Sequence, residues 1–218
     1  MTIDLYYMPG SAPCRAVRLT AKALGVPVNL IQCNLMAGEH MKPEYLKMNP
    51  QHTIPTINDN GFSLWESRAI LQYLAEKYGK NDALYPKDPA KRAVVNQRLY
   101  FDMGTLYHRF GDLYYPMMFG GVTTKDPEKV KKLDEALAFF ETFLSNSKFA
   151  AGDSMTIADH SLMATVSTID AVSHDLSRYP NVTRWYAECK KVMDGYDEEN
   201  GQGAKEFGDW FKSVVKTA

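Results

Sequence analysis

Short apolar runs separated by turn residues divide the first eighty positions into strand-sized and helix-sized pieces. Ile3 to Tyr7 is an apolar run that stops at Pro9-Gly10. From Pro13, the residues Ala16, Val17, Leu19, Thr20, Ala23 and Leu24 follow helical spacing, and Gly25 supplies a C-terminal stop. Val28 to Cys33 predicts a second strand, parallel to the first because the connection between them is a right-handed helical crossover. After a polar loop, the pattern predicts a short helix over Pro43 to Met48. A hairpin follows, with Pro55 to Asn58 as one strand, Asp59-Asn-Gly61 as the turn and Phe62 to Trp65 as the other strand. A helix from Ser67 to Tyr78 closes the unit. The order β-α-β, then β-β-α, is that of a thioredoxin-like α/β domain.

Beyond this point the period changes. Gly79 to Pro89 is rich in turn formers and polar residues and predicts a linker, so the chain divides into domains 1–80 and 89–218 joined by 81–88. Asp88-Pro89 offers an N-cap and a first-turn proline. Val95, Leu99, Met103, Leu106, Phe110 and Leu113 then recur at three and four residues along one helical face. Asp126-Pro127 opens a helix carrying Val130, Leu133, Leu137, Phe140 and Leu144. Thr156 and Asp159 fit a capping box with Asp in place of the usual Glu, ahead of Leu162, Val166 and Ile169. Two more helices are expected, over Pro180 to Met193 and Gly203 to Val215. The second half is thus an all-α domain of roughly five helices.

Composition narrows the function classes. Hydrophobic residues make up 45% of the 218 positions and charged residues 23%, enough for a sizeable core and too apolar for disorder. Twenty-five Lys and Arg face 26 Asp and Glu, which argues against a nucleic-acid partner. No leader-like start or membrane-length apolar run occurs, so a cytoplasmic location is the default expectation. Three cysteines, Cys14, Cys33 and Cys189, are too scattered for a disulfide framework, and with five histidines they form no metal spacing.

The candidate chemistry gathers at three turns. Ser11 lies between Pro9-Gly10 and the helix begun by Pro13, where unpaired amides and the helix dipole favour an anion. It fits either an N-cap or an anion-facing hydroxyl. Cys14, three residues on, resembles the second cysteine of a Cys-x-x-Cys turn whose first member is Ser11, which excludes dithiol chemistry there and suits a small buried hydrophobe. Ile54-Pro55 is a position where a cis proline, or a plain strand start, would leave the preceding backbone facing outward. Glu66-Ser67-Arg68 sits at a strand-to-helix junction, suited to a carboxylate on Ser67 and an ammonium on Glu66, or to ordinary capping. With His40 and His52, these positions have the chemistry to hold a zwitterionic, dianionic tripeptide.

Four segments carry a family resemblance. Tyr-Tyr-Met-Pro-Gly-Ser11-Ala-Pro-Cys14-Arg, Leu35-Met-Ala-Gly-Glu-His40, Asn49-Pro-Gln-His52-Thr-Ile-Pro55-Thr and Asp59-Asn-Gly-Phe-Ser-Leu-Trp-Glu66-Ser-Arg-Ala-Ile resemble the delta-class glutathione transferases of arthropods. Tyr85-Pro-Lys-Asp-Pro and Ala158-Asp159-His-Ser-Leu extend the resemblance more loosely into the second half. It implies that Ser11 is catalytic, donating a hydrogen bond to the glutathione sulfur and favouring the thiolate. Glutathione would be a cosubstrate, with no metal or other cofactor. The resemblance places His40, His52, Thr53, Ile54, Pro55, Glu66, Ser67 and Arg68 around the tripeptide. A hydrophobic pocket for the electrophile would draw on Ala12, Pro13, Leu35, Tyr107, Phe110, Tyr115, Met118, Phe119, Phe207 and Phe211. Pro116 is expected to break its helix between Tyr115 and Phe119 and so open that pocket.

The family's members are C2 homodimers, so a second copy of this chain is the expected partner. The same family includes peroxidase and dehydrochlorinase activities. Two rivals share the scaffold. One is a glutathione-binding protein that has lost the reaction, and the other is a thiol-disulfide or dehydroascorbate-type reductase, which would call for a cysteine where Ser11 stands. The Ser-Ser-Cys turn of the zeta-class isomerases is absent.

Overall fold

The strands come together in one mixed sheet. In the computed structural model, which describes residues 2–215, β1 (Ile3–Tyr7), β2 (Val28–Gln32), β3 (Thr56–Asp59) and β4 (Phe62–Trp65) lie in the order β2-β1-β3-β4. β1 and β2 are parallel, with Ile3 opposite Val28, while β3 runs antiparallel to both β1 and β4. The crossover helix α1 (Ala12–Leu24) starts at the Ser11 cap and Pro13. It ends at Gly25, whose φ of 67° lets its amide reach the carbonyls of Ala21 and Lys22. Asp59 pairs with Phe62, so it belongs to β3, and the hairpin turn is the shorter Asn60-Gly61, with φ of 54° and 91°. The Asp59 side chain is buried and accepts from Tyr73 Oη (2.7 Å), Lys77 Nζ (2.7 Å) and Tyr78 Oη (2.5 Å). Burial alone would push this carboxyl up, but the three donors and Asn60 hold it below the usual carboxylate range. They also fasten β3 to α3 (Ser67–Tyr78), the helix packed with α1 on the sheet. α2 (Pro43–Met48) and a single turn at Glu39–Met41 complete this half.

The helical half departs from its sequence pattern in two places. α4 (Pro89–Phe101) passes through a π-helical turn, Asp102–Leu106, directly into α5 (Tyr107–Phe119). The π turn changes the angular register, leaving Met103 43% exposed and carrying Asp102 fully inside, whereas the spacing had placed Met103 on the buried face. Pro116 does not break α5, which continues to Phe119. The carbonyl of Asp112, deprived of a donor by the proline, is met instead by Lys129 Nζ at 3.1 Å from α6 (Pro127–Phe143).

α7 (Ile157–Ala171) is the central element, buried from Ile157 through Ile169 and started by the Thr156 and Asp159 capping box. α8 (Pro180–Val192) and α9 (Gln202–Val214) flank it, with a second π turn, Asp197–Gly201, leading into α9.

The two halves share their cores. Leu5, Val17, Ile57, Ile70 and Leu74 from the sheet side pack with Val95, Leu99 and Ile157 from the helices. A larger helical cluster around Phe110, Leu137, Phe140, Val166 and Trp185 takes in Leu19 from α1. No helix among the described residues is long and apolar enough to cross a membrane.

At the α1–α7 contact, buried His160 Nδ1 meets Thr20 Oγ1 at 3.0 Å. Burial lowers the His160 pKa from 6.5 to about 4. In the unfolded chain the imidazole binds a proton below about pH 6.5, while in the fold it stays neutral, so stability falls as pH drops from about 6.5 to 4. At roughly 1.4 kcal/mol per pH unit, this group removes about 3 kcal/mol across that window. Urea unfolding of His160→Gln is expected to show a flatter acid limb than the native chain. Parallel limbs would contradict the assignment.

Candidate functional site

Between β1 and α1 the chain makes a tight turn, closed by Ser11 N donating to Met8 O at 3.1 Å. Ser11 Oγ accepts from Cys14 N at a long 3.5 Å, which leaves its proton free to donate elsewhere. α9 lies directly against this turn. A Cβ on Gly203 would come within 2.2 Å of Pro9 O and 2.8 Å of Arg15 Cδ, so only glycine allows the approach. The approach brings Phe207 onto Gly10 and arranges the wall of a cavity of about 690 Å³ between the two halves.

One end of this cavity is polar and unsatisfied. Ser11, His40, His52, Thr53 and Ile54 line it. His40 Nδ1 is buried with no hydrogen-bond partner among the described residues, and the His40 and His52 rings stand 5.9 Å apart. Neither the N–H nor the C=O of Ile54, which precedes cis Pro55, is engaged by another group among the described residues. His52 holds φ at 46° and Glu66 at 67°, left-handed values that non-glycine residues seldom adopt and that cluster at functional sites.

The opposite end is aromatic. Ala12, Pro13 and Leu35 border it, and Tyr107, Phe110, Tyr115, Met118, Phe119 and Phe207 form the far wall. Tyr107 and Tyr115 share a hydroxyl hydrogen bond of 2.6 Å, and burial raises the pKa of both, so both stay protonated at neutral pH. Trp210, which the sequence reading passed over, lies 5.7 Å from Phe119 and 5.9 Å from Phe207. Met8, Gln32, Met36, Thr168 and Glu206 also reach the cavity unforeseen.

Some expected positions lie elsewhere. Phe211 is in the core, 5.6 Å from the Tyr114 ring, because Trp210 takes the cavity-facing position of α9. Pro55, Glu66, Ser67 and Arg68 are not among the residues that line this cavity. Arg68 donates to Ser67 Oγ at 3.0 Å and to Asp102 Oδ2 at 2.6 Å, and lies over the Tyr107 ring. Ser161 also donates to Asp102 Oδ2, at 2.5 Å, while Asp102 Oδ1 and Arg68 Nε are buried without partners among the described residues.

Asp102 was invisible as a site residue. Its only signal was an acid three residues after Leu99 and four before Leu106, on the apolar face. Cys14 is fully buried, and burial pushes its thiol up to about 11, which removes it as a nucleophile near neutrality. No three His, Cys, Asp or Glu side chains among the described residues converge as a metal site.

A model of the glutathione S-transferase N-terminal domain matches residues 5–82, and a model of the C-terminal domain matches residues 108–191. The chain belongs to the glutathione S-transferase family. A delta-class glutathione transferase of Nilaparvata lugens is 58% identical with a TM-score of 0.96, over 98% of this chain and 100% of that one. A Bombyx mori glutathione transferase is 52% identical with a TM-score of 0.93, over 96% and 98%. A Drosophila mojavensis glutathione transferase homolog solved with bound glutathione is 38% identical with a TM-score of 0.93, over 100% and 99%. The delta-class resemblance of the motifs therefore holds over nearly the whole chain. The thioredoxin-like sheet domain with its helical partner is the glutathione transferase fold.

Proposed function

We propose that this chain conjugates glutathione to hydrophobic electrophiles, with Ser11 favouring the thiolate. The observation that carries the reading is the position of the Ser11 hydroxyl. It stands at the start of α1, on the wall of a cavity whose near end offers unpaired polar groups and whose far end is aromatic. A hydroxyl is a poor base, so the thiol proton goes to solvent and Ser11 donates to the sulfur anion left behind. The anion attacks the electrophilic carbon, the S–C bond forms, and the leaving group departs with the electron pair.

In this reading Ile54 and Thr53 hydrogen-bond the tripeptide backbone beside Pro55. His40 and His52 face its glycyl carboxylate. Ser67 and Glu66 hold the γ-glutamyl end, and Arg68 and Asp102 brace that corner. The bound glutathione of the Drosophila mojavensis homolog supports the choice of cosubstrate. An apolar wall with few directed polar groups suits varied electrophiles.

A C2 homodimer belongs to the same proposal, with Phe62, Val94 and Tyr100 among the exposed apolar side chains available to a second copy. Sedimentation is expected to give a dimer, and a stable monomer would remove that part. For the activity, turnover of glutathione with an aryl halide is the direct test. Tight glutathione binding without conjugation would replace the transferase with a binding protein.

A further inference from the structure

Arg15 lies one helical turn beyond Ser11 and is fully buried. Nη1 donates to Asn200 Oδ1 (2.5 Å), Ser167 Oγ (2.9 Å) and the Asn200 carbonyl (3.5 Å). Nη2 donates to Thr168 Oγ1 and to the Ala164 carbonyl (3.4 Å), and Nε has no partner among the described residues. Every acceptor is neutral. The groups that bear most on its charge are Tyr107, Tyr196, Tyr186 and Cys14, each raised by burial and uncharged at neutral pH. Among the described residues no carboxylate, including Glu199 next to Asn200, hydrogen-bonds or pairs with it. Burial lowers the guanidinium to about 10, so it still carries its charge near neutrality. Neighbouring arginines are treated differently, since Arg18 meets Glu199 at 2.8 Å and Arg68 meets Asp102 at 2.6 Å. A buried cation without a counter-ion is costly to keep, and an anion that arrives later would offset the cost.

The cavity is where such an anion would sit. Thr168, which accepts from Nη2, also lines the cavity, and the Pro9 to Ser11 turn packs between α9 and α1 beside Arg15. The titratable groups on the cavity wall are His40, His52, Tyr107, Tyr115 and one exposed acid, Glu206. We propose that Arg15 is the fixed counter-charge of the bound thiolate, a positioning residue that acts through space behind Ser11 without touching the sulfur. The inference rests on the function proposed above. At an effective dielectric of about 20, a unit charge ~10 Å away shifts an ionisation by about tenfold, and burial protects the effect from salt.

The test places a carboxylate beside the arginine. Asn200→Asp cancels the charge with almost no change of shape, whereas Asn200→Ala removes the side chain's hydrogen bonds to Arg15 and Ser167 and keeps the charge. Ultraviolet titration of the glutathione complex is expected to show about tenfold less thiolate in Asn200→Asp below the pKa, and a change within about twofold in Asn200→Ala. Affinity for S-methylglutathione, whose sulfur cannot ionise, is expected to stay within about twofold in both. An unchanged titration in Asn200→Asp overturns the proposal. So does an equal shift in both variants, which would mean packing, or a parallel loss of S-methylglutathione, which would mean that Arg15 serves a carboxylate. Should Asn200→Asp fail to fold, Arg15→Gln is read by the same criteria. If glutathione on the native protein ionises as it does in buffer, the Ser11 mechanism fails first, a result distinct from failure at Arg15.

Discussion

Replacing Ser11 with alanine is expected to lower kcat/KM for conjugation by roughly 10- to 100-fold and to move its acid limb up by about one to two pH units. A hydrogen bond donated to an ionised group contributes roughly 1.5–3 kcal/mol, and each 1.4 kcal/mol is about tenfold in the thiolate equilibrium. The bound thiol would return toward the ordinary value of about 8.5, and the rate loss would shrink at alkaline pH, where thiolate forms unaided. Ser11 also caps α1, so the same variant loses up to about 1 kcal/mol of stability, less here because the Oγ to Cys14 N contact is a long 3.5 Å.

A second variant separates the two roles. Ser11→Asp keeps a good cap but sets a negative charge against the sulfur. It is expected to melt no lower than the native chain while conjugating more slowly than Ser11→Ala. Equal kcat/KM in the native and alanine enzymes, with unshifted pH profiles, would end the case for Ser11 as a thiolate donor and leave it as a cap.

The folding instructions that were easiest to read were the ones written in backbone chemistry. Gly25 ends α1 because glycine takes a positive φ without strain, and Asn60-Gly61 turns the hairpin because asparagine and glycine both tolerate the positive φ that such a turn needs. Harder choices arose wherever three- and four-residue spacings offered two neighbours for one face. Asp102 and Met103 both fit the buried stripe of the long helix, and hydrophobicity favoured Met103. The π turn instead buries Asp102, whose charge is met by Arg68, thirty-four positions earlier in the chain. Phe211 and Trp210 present the same ambiguity on α9, resolved only by where that helix docks on the Pro9 turn. Pro116 misled for a different reason, because its orphaned carbonyl partner is satisfied by a lysine on another helix, which no local rule could supply. Arg15 gave no signal at all, since its neutral partners come from α7 and the turn before α9.

The largest loss of stability is expected at Asp159, away from the cavity. Its carboxylate accepts four hydrogen bonds: from Ala150 N and Trp185 Nε1, both at 2.8 Å, from Thr156 N at 2.9 Å and from Thr156 Oγ1 at 3.2 Å. These ties join the start of α7 to the preceding loop and to α8, inside the larger core. In Asp159→Ala two backbone amides and an indole N–H are left buried without acceptors, each costing roughly 1–3 kcal/mol. The expected loss is about 4 kcal/mol, a large fraction of the roughly 5–15 kcal/mol that holds a typical domain together. Asp159→Asn is expected to recover little, because an amide that accepts from Ala150 and Trp185 must turn its NH₂ toward the Thr156 amide, donor against donor. Trp185→Phe removes one donor and leaves the carboxylate three others, so it should cost less than Asp159→Ala despite the larger side chain altered. Urea unfolding at fixed protein concentration ranks the three, and a Trp185→Phe variant less stable than Asp159→Ala would show that packing around the indole, rather than the buried carboxylate, anchors α7.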